Sequence, residues 1–209
     1  MSITLKNKSW KIGLTGGIGC GKSTAAGILE ELGLRRLDTD LVARRVVEPS
    51  SPGLNAVVRE FGESVLLSDG TLDRKELGRL VFASPERRQA LESILHPLIW
   101  GEVQTFLERC QEEQVDCVVE VPLLFENGRQ GDFDRVWVVS ASPSVQRERL
   151  RKRSGWSDRE IELRLQAQLP LRRKCELADT VFVNDGDRAD LVVSLREAVF
   201  ELRGGGSNT

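Results

Sequence analysis

The sequence predicts an α/β fold, a five-stranded parallel sheet flanked by helices, and three observations predict it. Short apolar runs of strand length alternate with helical patterns along most of the chain. The first strand passes into a helix through Gly16-Gly17-Ile18-Gly19-Cys20-Gly21-Lys22-Ser23, a glycine, four free positions and then Gly-Lys-Ser. Acidic residues close the second strand, at the edge where open parallel sheets bind ligands.

A chain of 209 residues can bury one substantial core with insertions, and hardly two independent domains. Thirty basic against thirty-two acidic residues give a formal charge of -2. This argues against broad attraction to nucleic acid or an anionic membrane, so any basic site is local. No apolar run approaches the ~20 residues of a membrane span, and the polar start through Ser9 lacks the apolar centre of a secretory signal. A cytoplasmic protein is expected, and the pattern leaves monomer and small homo-oligomer equally open. Cys20, Cys110, Cys117 and Cys175 are scattered, and His96 is the single histidine. Free thiols are therefore expected rather than a zinc site or a disulfide framework. Cys20, inside the glycine loop, is the thiol expected to meet an oxidant.

Glycines let the loop backbone curl with positive φ, so that N–H groups across Gly17, Ile18, Gly19, Cys20 and Gly21 converge on phosphate oxygens. Lys22 supplies a mobile cation and Ser23 a hydroxyl for Mg²⁺. The helix that opens there, with Thr24 in its first turn, points its positive end at the same phosphates. Residues 10–15 read as a buried strand and 23–32 as a helix, the order that a phosphate loop requires. The expected architecture is of P-loop NTPase type, and the expected ligand a nucleoside triphosphate with Mg²⁺.

Gly33 turns the chain into a second strand, 34–37, ending at Asp38-Thr39-Asp40. The two acids share one face of an extended chain, and Asp40 can also cap the helix that follows over 41–47. Two readings fit this spacing. One is an ordinary cap; in the other, one aspartate orients or deprotonates an attacking hydroxyl while its neighbour holds Mg²⁺ through water. From Glu48 to about Gln111 the alternation lapses. Pro49, Pro52 and Gly53 break a helix, 54–61 resumes one, and Asp69-Gly70 marks a turn. Asp73 caps a helix to about Phe82, Ser84-Pro85 starts another, and His96-Pro97 is expected to kink or restart it. A helical insertion, about 49–112, thus suits an acceptor-binding subdomain.

Residues 116–121 form a third strand that Pro122 ends. Many phosphate-loop enzymes carry an aspartate there for the Mg²⁺ shell; the acid present is Glu120, so the role stays open between Glu120 and Asp38. Residues 134–140 form a fourth strand. Pro143 then opens a helix carrying Arg147, Arg149, Arg151, Lys152 and Arg153, with 149 and 153 on one face. A solvated helix and a lid reaching for phosphates both explain that run. Ser157 and Glu160 have capping-box spacing for a helix through Gln168, with Arg164 and Gln168 on one face. A shorter helix with Lys174 follows, so the lid spans about 143–177. Residues 178–183 make the last strand, closed by Asn184 and Gly186 as an adenine pocket or a plain turn. Residues 187–203 make a last helix, and 204–209 read as a disordered tail. The core then comprises about 10–48, 115–142 and 178–203.

Taken together, Gly13 to Gly19, Asp38-Thr39-Asp40 with Ala43-Arg44, Leu95-His96-Pro97-Leu98-Ile99, Pro122-Leu123-Leu124-Phe125-Glu126, Arg164 with Gln168, and Ala178-Asp179 before Asn184 resemble the bacterial dephospho-CoA kinases. The resemblance covers about Lys11 to Val199. It implies ATP-dependent phosphorylation of the ribose 3′-hydroxyl of dephospho-CoA, with Mg²⁺, as the last step of coenzyme A synthesis. It also implies a nucleotide core, a helical CoA-binding region and a mobile lid. By resemblance, Asp40 matches the catalytic aspartate, Lys22 and Ser23 the phosphate and Mg²⁺ contacts, and Arg149 and Arg153 the lid arginines. Arg44, His96, Pro122 and Leu123 fall in motifs assigned to the acceptor, and Asn184 in one assigned to the nucleotide. Cys20 stands where serine is commoner, Thr39 where alanine is, and Phe182-Val183 where isoleucine is usual. A kinase for another metabolite would share the core but not the helical insertion or the Leu-His-Pro-Leu-Ile stretch. A guanine-specific switch would show Asn-Lys-x-Asp after a strand; this chain has Asn184-Asp185-Gly186-Asp187 there.

Overall fold

The computed structural model describes residues 9–204; the polar start and the rest of the expected tail, 1–8 and 205–209, lie outside the described residues. The chain forms β1 (Lys11–Gly16), α1 (Lys22–Glu31), β2 (Arg35–Asp38), α2 (Thr39–Arg45), α3 (Pro52–Phe61), α4 (Arg74–Phe82) and α5 (Pro85–Glu112). It continues through β3 (Cys117–Glu120), β4 (Arg135–Ser140), α6 (Pro143–Ser154), α7 (Asp158–Gln166), α8 (Leu171–Leu177), β5 (Thr180–Val183) and α9 (Arg188–Leu202). The five strands form one parallel sheet in the order β2-β3-β1-β4-β5. Ile12 stands opposite Val118 of β3 and Arg135 of β4, and Val139 of β4 stands opposite Phe182.

The strand sequences explain their places. Strands β1 and β3 are apolar along nearly their whole length and are buried on both faces, as central parallel strands are. The edge strand β5 keeps one buried position, Phe182, whose ring meets Trp137 edge-on at 5.1 Å. Helix α1 packs on β1, β3, β4 and α9, while α9 packs on β5. The resulting core joins Ile12, Leu14, Ile28, Leu29, Val118, Trp137, Val139, Leu191 and Leu195.

The chain divides into two compact units: residues 1–37 with 107–209, and residues 38–106. The first holds the sheet. The second has its own core of Val47, Leu54, Val57, Val65 and Leu77. Asp73 caps α4 as the sequence predicts, its carboxylate accepting from Lys75 N and Glu76 N at 3.0 Å, whereas α3 starts earlier than expected: Pro52 opens it rather than breaking a helix, and Ser51 Oγ accepts from Leu54 N at 3.1 Å. The Asp69-Gly70 turn also forms, with Leu66 and Leu72 bridged antiparallel across it.

Three local expectations are corrected. Helix α5 does not restart at His96-Pro97 but continues through Pro97; the missing N–H costs one bond, that to the Ser93 carbonyl, and the rest of the helix spans it. The cap of α2 is Asp38, whose carboxylate accepts from Asp40 N at 2.8 Å, and Asp40 lies in the first turn. Helix α7 ends at Gln166, so Gln168 lies beyond it and does not share a helical face with Arg164. Among the described residues no helix is long and apolar enough to cross a membrane.

Candidate functional site

The loop between β1 and α1 is held open by its backbone and braced from three elements. Gly19 and Gly21 adopt φ of 81° and 90°, which L side chains resist, and a Cβ on Gly21 would collide with Asn184 Nδ2. Buried Asn184, at the end of β5, donates to the Cys20 carbonyl at 2.8 Å. Gln146 Nε2 of α6 donates to the Ile18 carbonyl at 2.8 Å, and Gln168 Oε1 accepts from Ile18 N at 3.2 Å. Sequence reasoning missed Gln146 as a brace. A lone glutamine in an arginine-rich helix carries no periodic signal; only its burial marks it.

Lys22 closes the loop, and its Nζ donates to Glu120 Oε2 at 3.0 Å. Glu120 ends β3 and is fully buried, while its other oxygen takes the Arg36 guanidinium, with Nε at 2.7 Å and Nη2 at 2.6 Å. A charge with no exposure survives only when paired and hydrogen-bonded. The signal was an acid inside the apolar run Cys117–Glu120; the partners came from elements far away in sequence. Ser23 and Thr24 follow Lys22 and are exposed.

The arginine-rich helix sorts into two sets. Arg147 pairs with Glu162 at 2.7 Å and Arg151 with Asp158 at 2.6 Å, which ties α6 to α7. Arg149 instead reaches the loop, its Nη1 lying 3.4 Å from the Cys20 carbonyl, and Arg153 is exposed. Arg164 stacks over Trp156 at 3.9 Å. Pro122 ends β3 as expected. Its carbonyl accepts from Thr15 Oγ1 at 3.2 Å and from Lys174 Nζ at 3.1 Å, with Leu123 beside it 39% exposed.

Lys174 is a second buried charge that sequence reasoning passed over. Its ammonium has no exposure and also pairs with Glu126 Oε1 at 2.8 Å; that oxygen accepts from Leu169 N at 2.9 Å. From α8 this cation holds the turn after β3, and Glu126 ties that turn to Leu169, between α7 and α8. Lys174→Met keeps the stem but removes the ammonium from both Glu126 and the Pro122 carbonyl, so a loss of about 2–3 kcal/mol is expected for charged hydrogen bonds. Urea unfolding checks it; an unchanged midpoint would show that the pair contributes nothing.

All four cysteines are free thiols. Cys20 is fully buried and burial pushes its thiol up to about 11, so the expectation that an oxidant meets this thiol is corrected: it is shielded and protonated. In the second unit, Asp40 and Arg44 are exposed on α2 and His96 is half-buried on α5. Among the described residues no three His, Cys, Asp or Glu side chains group as metal ligands.

A parallel sheet in this order, with Gly-x4-Gly-Lys-Ser joining its central strand to α1, defines a protein of the phosphate-loop NTPase type. The family model for dephospho-CoA kinase matches residues 10–190. The dephospho-CoA kinase of Bacillus thuringiensis subsp. konkukian is 44% identical over 176 residues, covering 84% of this chain and 88% of that one. That of Thermosynechococcus vestitus is 40% identical over 197 residues, covering 94% and 96%. The solved dephospho-CoA kinase from Campylobacter jejuni superposes with a TM-score of 0.72 at 26% identity, over 93% of this chain and 98% of that chain. The chain belongs to the dephospho-CoA kinase family, whose activity is the ATP-dependent phosphorylation of dephospho-CoA in the final step of coenzyme A biosynthesis.

Proposed function

We propose that this chain moves the γ-phosphoryl group of ATP to the ribose 3′-hydroxyl of dephospho-CoA, giving CoA and ADP, with each step assigned to particular residues. The observation that carries the reading is the braced glycine loop with Lys22 at its close, in a chain of this family. The backbone of Gly17, Ile18, Gly19, Cys20 and Gly21 cradles the donor phosphates, with Lys22, Ser23 and Thr24 at the helix start. Asn184 and Arg153 hold the nucleotide, and Arg149, already at the loop, meets the charge on the group in transfer.

Asp40 aligns the acceptor hydroxyl and takes its proton. Arg44, His96, Pro122 and Leu123 bind the rest of dephospho-CoA. Residues 49–112 serve as the acceptor region and 143–177 as a lid that shuts out water. Phosphoryl transfer asks little covalent chemistry of a protein, so alignment and charge suffice.

Ser23 and, through water, Asp38 are assigned to Mg²⁺. Such a sparse donor set fits this cation, which is commonly held by one or two protein oxygens together with substrate phosphates and waters. When bound, the ion neutralises charge on the β- and γ-phosphates. A cytoplasmic location belongs to the same proposal. The test is incubation of the purified chain with ATP, Mg²⁺ and dephospho-CoA. CoA and ADP are expected in equal amounts and neither with EDTA; ADP formed without CoA would overturn the reading.

A further inference from the structure

Two consecutive residues between α7 and α8 hold two different parts of the site. Gln168 Oε1 accepts from Ile18 N, within the phosphate loop, at 3.2 Å, and Leu169 N donates to Glu126 Oε1, in the turn after β3, at 2.9 Å. The sheet fixes the roots of both. Leu14 pairs with Glu120 at the last rung of the β1–β3 ladder, Val121 N donates to the Leu14 carbonyl at 2.9 Å, and Thr15 Oγ1 donates to the Pro122 carbonyl at 3.2 Å. Further out, the loop at Ile18 and the turn at Glu126 are joined through residues 168 and 169. The bridge is anchored at its far end, because fully buried Lys174 of α8 holds both Glu126 at 2.8 Å and the Pro122 carbonyl at 3.1 Å.

We propose that Gln168 and Glu126 are positioning residues for phosphoryl transfer: through the backbone at 168–169 they keep the loop and the turn in fixed register. The inference rests on the proposed reading, which gives the loop to the donor phosphates and Pro122 and Leu123 of the turn to the acceptor. Transfer needs the attacking oxygen and the γ-phosphorus aligned near contact distance, and a displacement of about 1 Å can cost about 10²-fold in rate. Binding asks less. Without Gln168, Gln146 still holds the Ile18 carbonyl and Asn184 the Cys20 carbonyl, so the loop keeps its shape for ATP. The loss should therefore fall on turnover and spare affinity.

Steady-state kinetics with each substrate varied, and rates expressed per ATP site counted by calorimetric titration, test this. A role in folding alone would lower the site count and leave the rate per site unchanged. Gln168→Met fills similar space without the acceptor oxygen. It is expected to lower kcat per site about ten- to hundredfold, with KM for ATP and for dephospho-CoA within about threefold of the wild type. Glu126→Leu combined with Lys174→Met breaks the other end of the bridge without stranding a buried charge, and should lower kcat per site by a similar factor. Because either break releases the register, all three changes together should cost no more than the larger of the two losses. Either variant decides the matter if the other does not fold. An unchanged kcat per site, a loss confined to KM, or losses that multiply in the combination would each overturn the proposal. A wild type that binds ATP but makes no CoA would instead defeat the proposed reading, and the inference with it.

Discussion

Replacing Lys22 with Ala is expected to remove nearly all phosphoryl transfer while the protein stays folded. The ammonium contributes charge-assisted hydrogen bonds to the donor worth about 1.5–3 kcal/mol in binding. It also meets charge that shifts during transfer, and loss of one such donor lowers turnover by about 10²–10³-fold. The fold should persist because Glu120, stripped of Lys22, keeps Arg36 at 2.6 Å. Steady-state rates with ATP varied, beside a thermal melt, check both halves. Wild-type turnover would remove the loop from the donor site, and an unfolded variant would assign Lys22 a structural role.

Asp40→Asn is expected to cost about 10²–10⁴-fold in turnover, the range for a lost general base. The amide keeps the shape and leaves the cap of α2 untouched, since that cap is Asp38 accepting from Asp40 N. ATP affinity should change little. Asp38→Asn should behave differently, raising the Mg²⁺ concentration needed for half-maximal rate, because its assigned role runs through the cation's waters. An asparagine also caps well, so the helix start survives the change. Mg²⁺ titrations of the two variants are the crossed comparison. Rescue of Asp40→Asn, and not of Asp38→Asn, by excess Mg²⁺ would show the two assignments to be exchanged.

What could be read from the sequence was local. The strand, glycine loop and helix from Lys11 to Glu31, the Asp69-Gly70 turn and the Ser157–Glu160 capping box all depend on residues within a few positions of one another. Helix ends were less legible, because neighbouring polar residues compete to cap and packing decides: Asp38 rather than Asp40 starts α2. The restart expected at Pro97 does not occur for a different reason, since a long helix absorbs one missing hydrogen bond. The supports of the loop were not legible at all. Gln146 lies 128 positions from Ile18, Glu120 lies 98 from Lys22, and Arg36 lies 84 from Glu120. Those contacts exist because the chain order crosses over into β2-β3-β1-β4-β5. A lone glutamate at the end of an apolar strand raised only the question of a Mg²⁺ role, and nothing near it in sequence pointed to Lys22 or Arg36.

The most direct test of the account is the identity of the oxygen that receives the phosphoryl group. The purified chain is incubated with ATP, Mg²⁺ and dephospho-CoA, and the product is examined by two-dimensional proton–phosphorus NMR. The account predicts a new phosphomonoester coupled to the proton on ribose C3′, appearing in step with ADP. A phosphomonoester coupled elsewhere, or ADP released while dephospho-CoA stays unmodified, would contradict it.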